Sequence, residues 1–236
     1  MSAVGIIAEF NPLHKGHEYL LKEAKKHGTV VCVLSGNFVQ RGDTAVVEKR
    51  VRAKMALECG ADVVLELPVC WSMSTAQNFA LGGVSLLKEA GCDKIIFGSE
   101  CGNIEKLLKA AEILTSKEFS SVLEKELKKG VTFAAAREKA AVKLGAEKGI
   151  LSKPNNNLAI EYIIAAKTLG YTPEFLTVKR KGAEHDSTQI NEFVSASLLR
   201  EWLYKNDFAA AEEFMSEISF SLINENEISD IKRLET

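Results

Sequence analysis

No stretch of the 236-residue sequence approaches the roughly 20 consecutive apolar residues that a membrane-crossing helix requires, so a spanning protein is not expected. The first residues, Met1 to Ile7, lack the basic opening of a secretory leader and soon meet Glu9. There is no Cys-x-x-Cys pair. The five cysteines (Cys32, Cys59, Cys70, Cys92 and Cys101) are odd in number and read as buried or incidental thiols of a reducing compartment, not as a metal site or disulfide framework. These absences predict a cytoplasmic chain with no protein-held metal. A strong charge of either sign is also missing: the net charge is −2 and the pI about 6.2, which excludes a bulk nucleic-acid coat. With 46% hydrophobic and 26% charged residues, the composition excludes collagen-like, low-complexity and wholly disordered classes.

What charge there is lies unevenly. Residues 201–236 hold nine acidic and three basic side chains, which leaves a basic surplus of four in residues 1–200. The first hundred residues alternate between short apolar runs and helical spacing. Strands are expected at Ala3–Ala8, Thr29–Leu34, Asp62–Leu67 and Asp93–Phe97, with helices at Gly16–Lys26, Glu48–Cys59 and Thr75–Ala90. Continuous apolar strands between helices predict an α/β fold, a parallel, doubly wound (Rossmann-like) sheet covered on both faces. Residues 103–150 carry only helical periodicity (Ile104–Leu114, Ser120–Lys128, Thr132–Leu144) and read as a helical insertion. A helix at Asn157–Leu169, a strand at Glu174–Val178 and a helix at Ser195–Lys205 follow. The expected division is a nucleotide-binding domain over 1–205 and a helical or fraying tail over 206–236.

The residues with the clearest chemistry stand where the first strand meets the first helix: Glu9-Phe10-Asn11-Pro12-Leu13-His14-Lys15-Gly16-His17. Ligands of open parallel sheets bind beyond the carboxyl ends of the strands, and a helix N-terminus there favours phosphate. His14 and His17, two of only four histidines, are three apart and share a helix face, with Gly16 letting backbone approach a ligand. Two imidazoles facing a triphosphate can donate to oxygens whose charge grows as phosphorus is attacked.

The segment resembles the His-x-Gly-His signature of the HIGH superfamily of nucleotidylyltransferases and adenylate-forming synthetases. A second superfamily element, a Ser-Ser-Thr-x-x-Arg-like helix start, is matched by Val194-Ser195-Ala196-Ser197-Leu198-Leu199-Arg200, where Ala196 departs from the commoner serine. Ser195 read alone is an N-cap. Hydroxyls and amides there can cradle phosphate, with Arg200 adding fixed positive charge. More narrowly, the chain is similar to the bacterial tRNA(Met) cytidine acetate ligase family. The similar blocks are Glu9–Pro12, Ser35–Gly42, Glu66-Leu67-Pro68, Phe97–Glu100, Lys153–Asn156, Leu158 with Glu161-Tyr162, and Lys179–Asp186. They run in family order over residues 1–205.

That resemblance implies a specific activity. Acetate and ATP would give acetyl-adenylate, which then acetylates the N4 amine of the wobble cytidine in elongator tRNA(Met). It assigns catalysis to His14 and His17. ATP contacts would come from the turn running from Ile7 to Leu20 (Glu9, Phe10, Asn11, Pro12 and Gly16 included), from Gly98, Asn155 and Arg180, and from Ser195, Ser197 and Arg200. Magnesium is expected to balance the triphosphate, with no protein ligand set evident. Acetate and tRNA are the implied partners. Family members normally carry a long C-terminal portion, so the resemblance covers nearly all of this chain and the front of a usual member. Gln40 and Arg41 are placed to close over phosphates or to meet RNA backbone. Lys49, Arg50, Arg52 and Lys54 read as solvated helix charge or as an RNA contact. Competing readings are a nucleotidylyltransferase acting on a small phosphorylated metabolite and a non-catalytic nucleotide- or RNA-binding module.

Overall fold

Five apolar runs become the five strands of one all-parallel sheet: β1 (Ala3–Ala8), β2 (Thr29–Ser35), β3 (Val63–Leu67), β4 (Lys94–Ser99) and β5 (Glu174–Lys179), in the order β3-β2-β1-β4-β5. The computed structural model describes residues 2–40, 42–180, 194–226 and 228. Arg41 and most of the Lys179–Asp186 block, both singled out in the sequence, lie outside the described residues. Residues Val4 to Ile7 are buried consecutively in β1, as a strand covered on both faces must be.

Eleven α-helices surround the sheet among the described residues. They are α1 (Lys15–Lys25), α2 (Lys49–Glu58), α3 (Val69–Ser72), α4 (Ala76–Glu89), α5 (Ile104–Leu114), α6 (Lys117–Leu127), α7 (Phe133–Lys143), α8 (Pro154–Thr168), α9 (Ala196–Tyr204), α10 (Phe208–Glu212) and α11 (Glu217–Asn224). Polar caps start several of them: Thr75 accepts from Asn78 N, Asn103 from Lys106 N and Ser195 from Leu198 N. Gly91 closes α4 at φ +72°, a conformation that side-chain-bearing residues rarely adopt. Pro154 occupies the first position of α8, where its missing N–H costs nothing, so this helix starts three residues ahead of the expected Asn157.

Two separate cores result. One joins α1, α2, α9, α10 and α11 to one face through Ile6, Phe10, Leu13, Met55, Leu199 and Ile223. The other joins α3 through α8 to the opposite face through Ile7, Phe79, Leu87, Phe97 and Ile160. The helical stretch 103–150 belongs to this second core by Leu107, Phe119 and Ala140.

The chain proceeds from β1 outward to β3, then returns to β4 on the other side of β1. The direction therefore reverses between β1 and β4, where the sheet also parts. β1 pairs with β2 from Ala3↔Thr29 through Ala8↔Leu34, but with β4 only at Val4↔Lys94 and Gly5↔Ile95. Beyond those pairs the two carboxyl ends diverge and open a crevice, the place where ligands of such sheets bind.

One expectation changes. Arg52 is not a solvated or RNA-facing charge: it is fully buried, and its guanidinium donates to the carbonyls of Glu9 (2.6 Å), Val47 (3.2 Å) and Gly36. Lys49 and Lys54 instead pair with Glu66 and Glu58 on the surface. Within the tail, expected to be helical or to fray, the described residues form α10 and α11, and Leu222 and Ile223 of α11 are buried. Its cap Ser216 and Ser219 sit against Cys59 after α2. Upstream, the Phe214 carbonyl accepts the Lys15 amide at 3.0 Å.

Candidate active site

The turn after β1 is held from three directions. Arg52 takes the Glu9 carbonyl, Val46 N donates to Asn11 Oδ1 at 2.7 Å, and Arg200 Nη1 donates to the Asn11 carbonyl at 2.7 Å. Glu9 Oε1 accepts from the Gln40 amide at 2.8 Å, tying the loop after β2 to the same spot. Phe10 is buried with φ +46°, an uncommon conformation for a residue with a side chain, and the Asn11–Pro12 peptide is cis. This anchored turn delivers His14 as the N-cap of α1.

His14 Nδ1 accepts from Gly16 N (3.1 Å) and His17 N (3.3 Å). A nitrogen that accepts carries no proton, so the neutral ring bears its N–H at Nε2. That atom is buried and has no hydrogen-bond partner among the described residues. The His17 ring stacks on that of His14 with centroids 3.7 Å apart and an interplanar angle of 19°, and the Phe10 ring lies 5.1 Å from that of His17, tilted by 57°. Burial, with Arg180 nearby, lowers the His14 pKa to about 3. Burial, then His14, then Arg180 hold His17 well below its ordinary value, with the Pro12 carbonyl opposing. Both rings are therefore neutral donors at physiological pH.

Across the crevice, Arg180 leaves the end of β5 and lies over Gly98. A Cβ on Gly98 would sit 3.3 Å from Arg180 Cγ, so the bare backbone lets the guanidinium lie close. Arg180 Nη1 donates to Asn155 Oδ1 at 3.4 Å, and Asn155 Nδ2 donates to Glu100 Oε1 at 2.7 Å. Glu100 also accepts the Asn155 and Asn156 amides (3.1 and 2.8 Å), placing a carboxylate on the N-terminus of α8. Asn156 Oδ1 answers by accepting the Glu100 and Cys101 amides (3.0 and 3.1 Å). Burial lowers the Arg180 pKa, and Glu100 opposes the shift. At the third wall, Ser195 caps α9 and Arg200 Nη2 donates to Ser197 Oγ at 3.1 Å.

These walls enclose one cavity of about 460 Å³, within the range of small-molecule sites. Of the residues the sequence singled out, Ile7, Glu9, Phe10, Asn11, His14, Gly16, His17 and Leu20 line it from β1 to α1. Gly98, Asn155, Arg180, Ser195, Ser197 and Arg200 line the opposite sides. Pro12 does not reach it. Sequence reasoning missed Ala76 and Phe79 of α4, Phe97 of β4, and Tyr162 of α8 as wall residues. The one signal available was adjacency: Phe97 precedes Gly98, and Tyr162 stands in a block already noted. Among the described residues no group of three His, Cys, Asp or Glu side chains could hold a metal ion, all five cysteines are free, and no helix is long and apolar enough to cross a membrane.

A crevice at the reversal point of a doubly wound parallel sheet, with stacked imidazoles at a helix start and a facing arginine, defines a nucleotidyltransferase-type site. The chain belongs to the HIGH Nucleotidyl Transferase family, whose model it matches over residues 1–235. It is 43% identical over 233 residues to the tRNA(Met) cytidine acetate ligase of Caldanaerobacter subterraneus, covering 94% of this chain and 58% of that protein. To the protein of that name from Clostridium perfringens it is 38% identical over 252 residues, covering 99% and 63%. The crystal structure of Thermotoga maritima TmcAL bound with alpha-thio ATP superposes with a TM-score of 0.87 at 36% identity, covering 95% of this chain and 56% of that one. The chain thus spans about three-fifths of the length of the curated relatives it matches.

Proposed function

We propose that this chain binds ATP in the cavity and activates acetate as acetyl-adenylate, the first half of a ligase reaction whose acceptor is the wobble cytidine of elongator tRNA(Met). The observation that carries the reading is His14 Nε2, a buried N–H with no acceptor among the described residues, stacked on a second imidazole near Arg180. A buried donor without a partner costs about 1–3 kcal/mol. A phosphate oxygen at that atom removes the cost and gains a charge-assisted bond. The relatives named above support the choice of acetate and tRNA(Met).

In this reading His14 and His17 donate to phosphate oxygens as their charge grows. Arg180, steered by Asn155 and Glu100, supplies the fixed positive charge that two neutral rings lack. The anchored turn from Ile7 to Leu20 and the start of α9, with Ser195, Ser197 and Arg200, close around the nucleotide, and Gly98 offers bare backbone to its ribose or base. An acetate oxygen attacks the α-phosphorus and forms a P–O bond. The bond from that phosphorus to the bridging oxygen breaks, and pyrophosphate leaves with the electron pair. Acetate is already ionised at neutral pH, so no base is needed, and positioning with charge stabilisation supplies the rate. In the second half the cytidine N4 amine attacks the acyl carbon, the acyl C–O bond breaks, AMP leaves and the amine loses a proton. Among the described residues no group of three His, Cys, Asp or Glu side chains would hold magnesium, which would balance the charge of the triphosphate itself.

Acetate-dependent exchange of labelled pyrophosphate into ATP tests the first half. Exchange by the folded chain is expected. Its absence, or exchange driven by a phosphorylated metabolite with acetate irrelevant, overturns the reading.

A further inference from the structure

The cavity has a second end, on the α4–α8 side of the sheet, that the nucleotide contacts above do not use. Its walls are Phe79, Phe97 and Leu158, all part of the second core, with Ile7 at the border to the nucleotide side. One polar group stands among them. Tyr162 is 3% exposed, packs its ring 5.9 Å from that of Phe97, and has no hydrogen-bond partner for its hydroxyl among the described residues. Burial and the charge of Glu9 push the phenol pKa up, so the hydroxyl keeps its proton and can donate.

The first turn of α4 meets the same place. Ala76, its first residue, lines the cavity, and Gln77 Nε2 donates to Glu161 Oε1 at 3.3 Å. That bond ties together the residues next to Ala76 and Tyr162 in the chain, so the two elements converge. The Thr75 hydroxyl accepts only the Asn78 amide, and the amides of Ala76 and Gln77 have no intrahelical acceptor. A helix N-terminus with free amides favours an anion. A protonated hydroxyl lining the same cavity, among apolar side chains, matches a ligand with a small carboxylate head and a short hydrocarbon body.

We infer that the first turn of α4 and the Tyr162 hydroxyl form the acyl subsite, binding the carboxylate of acetate while its methyl lies against Ile7, Phe79 and Phe97. The inference rests on the reading of the preceding subsection and deepens it: the acid lies toward α4 and meets the nucleotide at the crevice between β1 and β4. Tyr162 is then a substrate-binding residue for the acid alone.

Two variants test it. Tyr162→Phe removes the hydroxyl and keeps the ring. Ala76→Pro removes one first-turn amide at a position where proline suits a helix, and Thr75 already has the extended backbone that a following proline demands. In pyrophosphate exchange the acetate KM is expected to rise roughly tenfold or more for Tyr162→Phe, the scale of a hydrogen bond to a charged group, and several-fold for Ala76→Pro. The dissociation constant of ATP should stay within about twofold in both. An unchanged acetate KM, or an ATP affinity that falls in step with it, overturns the subsite. A separate readout is saturation transfer from protein to acetate methyl protons in the presence of a non-hydrolysable ATP analogue. Methyl transfer that Tyr162→Phe weakens, in a chain with no exchange activity, supports the subsite and removes only the ligase reading. No transfer from the unaltered chain removes the subsite.

Discussion

Arg52→Met puts the central turn to a quantitative test. The wild-type guanidinium is fully buried and reaches three backbone carbonyls, those of Glu9, Val47 and Gly36. Methionine fills a similar volume and donates nothing. Three buried carbonyls left short of a partner cost about 1–3 kcal/mol each, so roughly 6 kcal/mol together. Against this stands the cost of burying the charge. The Arg52 pKa is pushed down to about 10 from 12.5, burial outweighing the attraction of Glu9 and Glu66, which corresponds to about 3 kcal/mol at ~1.4 kcal/mol per unit. The net loss is then about 3 kcal/mol, a large share of the ~5–15 kcal/mol that holds a domain folded. At about 2–4 °C per kcal/mol for a chain of this size, Tm should fall by on the order of 10 °C. Scanning calorimetry beside Arg50→Met, an exposed neighbour expected to shift Tm by no more than a degree or two (about 0.5 kcal/mol), reads the difference. If the two variants melt together, Arg52 is not the clamp that sets the turn after β1.

His14→Asn separates two jobs of one residue: asparagine is a good N-cap but has no donor where Nε2 sits, so stability should change by less than about 1 kcal/mol while exchange falls roughly a hundredfold. Equal losses in both would show that His14 serves the helix only. Because both imidazoles have folded pKa values below the ordinary 6.5, the unfolded chain binds protons first as pH falls. Stability should therefore be full above about pH 6.5 and drop below it by up to about 1.4 kcal/mol per pH unit per ring. Urea melts at pH 7, 5.5 and 4.5 should show this slope, and a His14→Asn, His17→Asn double variant should flatten it; an unchanged slope would mean the rings are not buried neutral.

The parallel sheet was legible because β1, β2 and β4 are buried on both faces and read as unbroken apolar runs. The motif from Glu9 to His17 was legible because its histidines are rare and its place at a strand–helix junction has a physical meaning. Arg52 was not: an arginine in a helix beside Lys49 and Lys54 has the pattern of surface charge, and only the three carbonyls converging on it from distant segments make burial tolerable. The bounds of α10 and α11 within the tail were not legible, for a related reason. Both are short, with five residues in α10 and eight in α11, and partners far away in sequence, at Lys15 and Cys59, hold this segment in place. Tyr162 and Phe79 are core residues at helical spacing, with nothing local to mark them as walls of a cavity. That one core residue faces a cavity depends on where β1 and β4 part, and no local pattern encodes that.

The two cores that back the cavity touch chiefly through the sheet itself. Side chains behind His14 and Ser195 share few neighbours with those behind Ala76 and Tyr162. Substitutions on opposite sides should combine almost additively. Each side of the cavity could thus be altered with little disturbance to the packing behind the other.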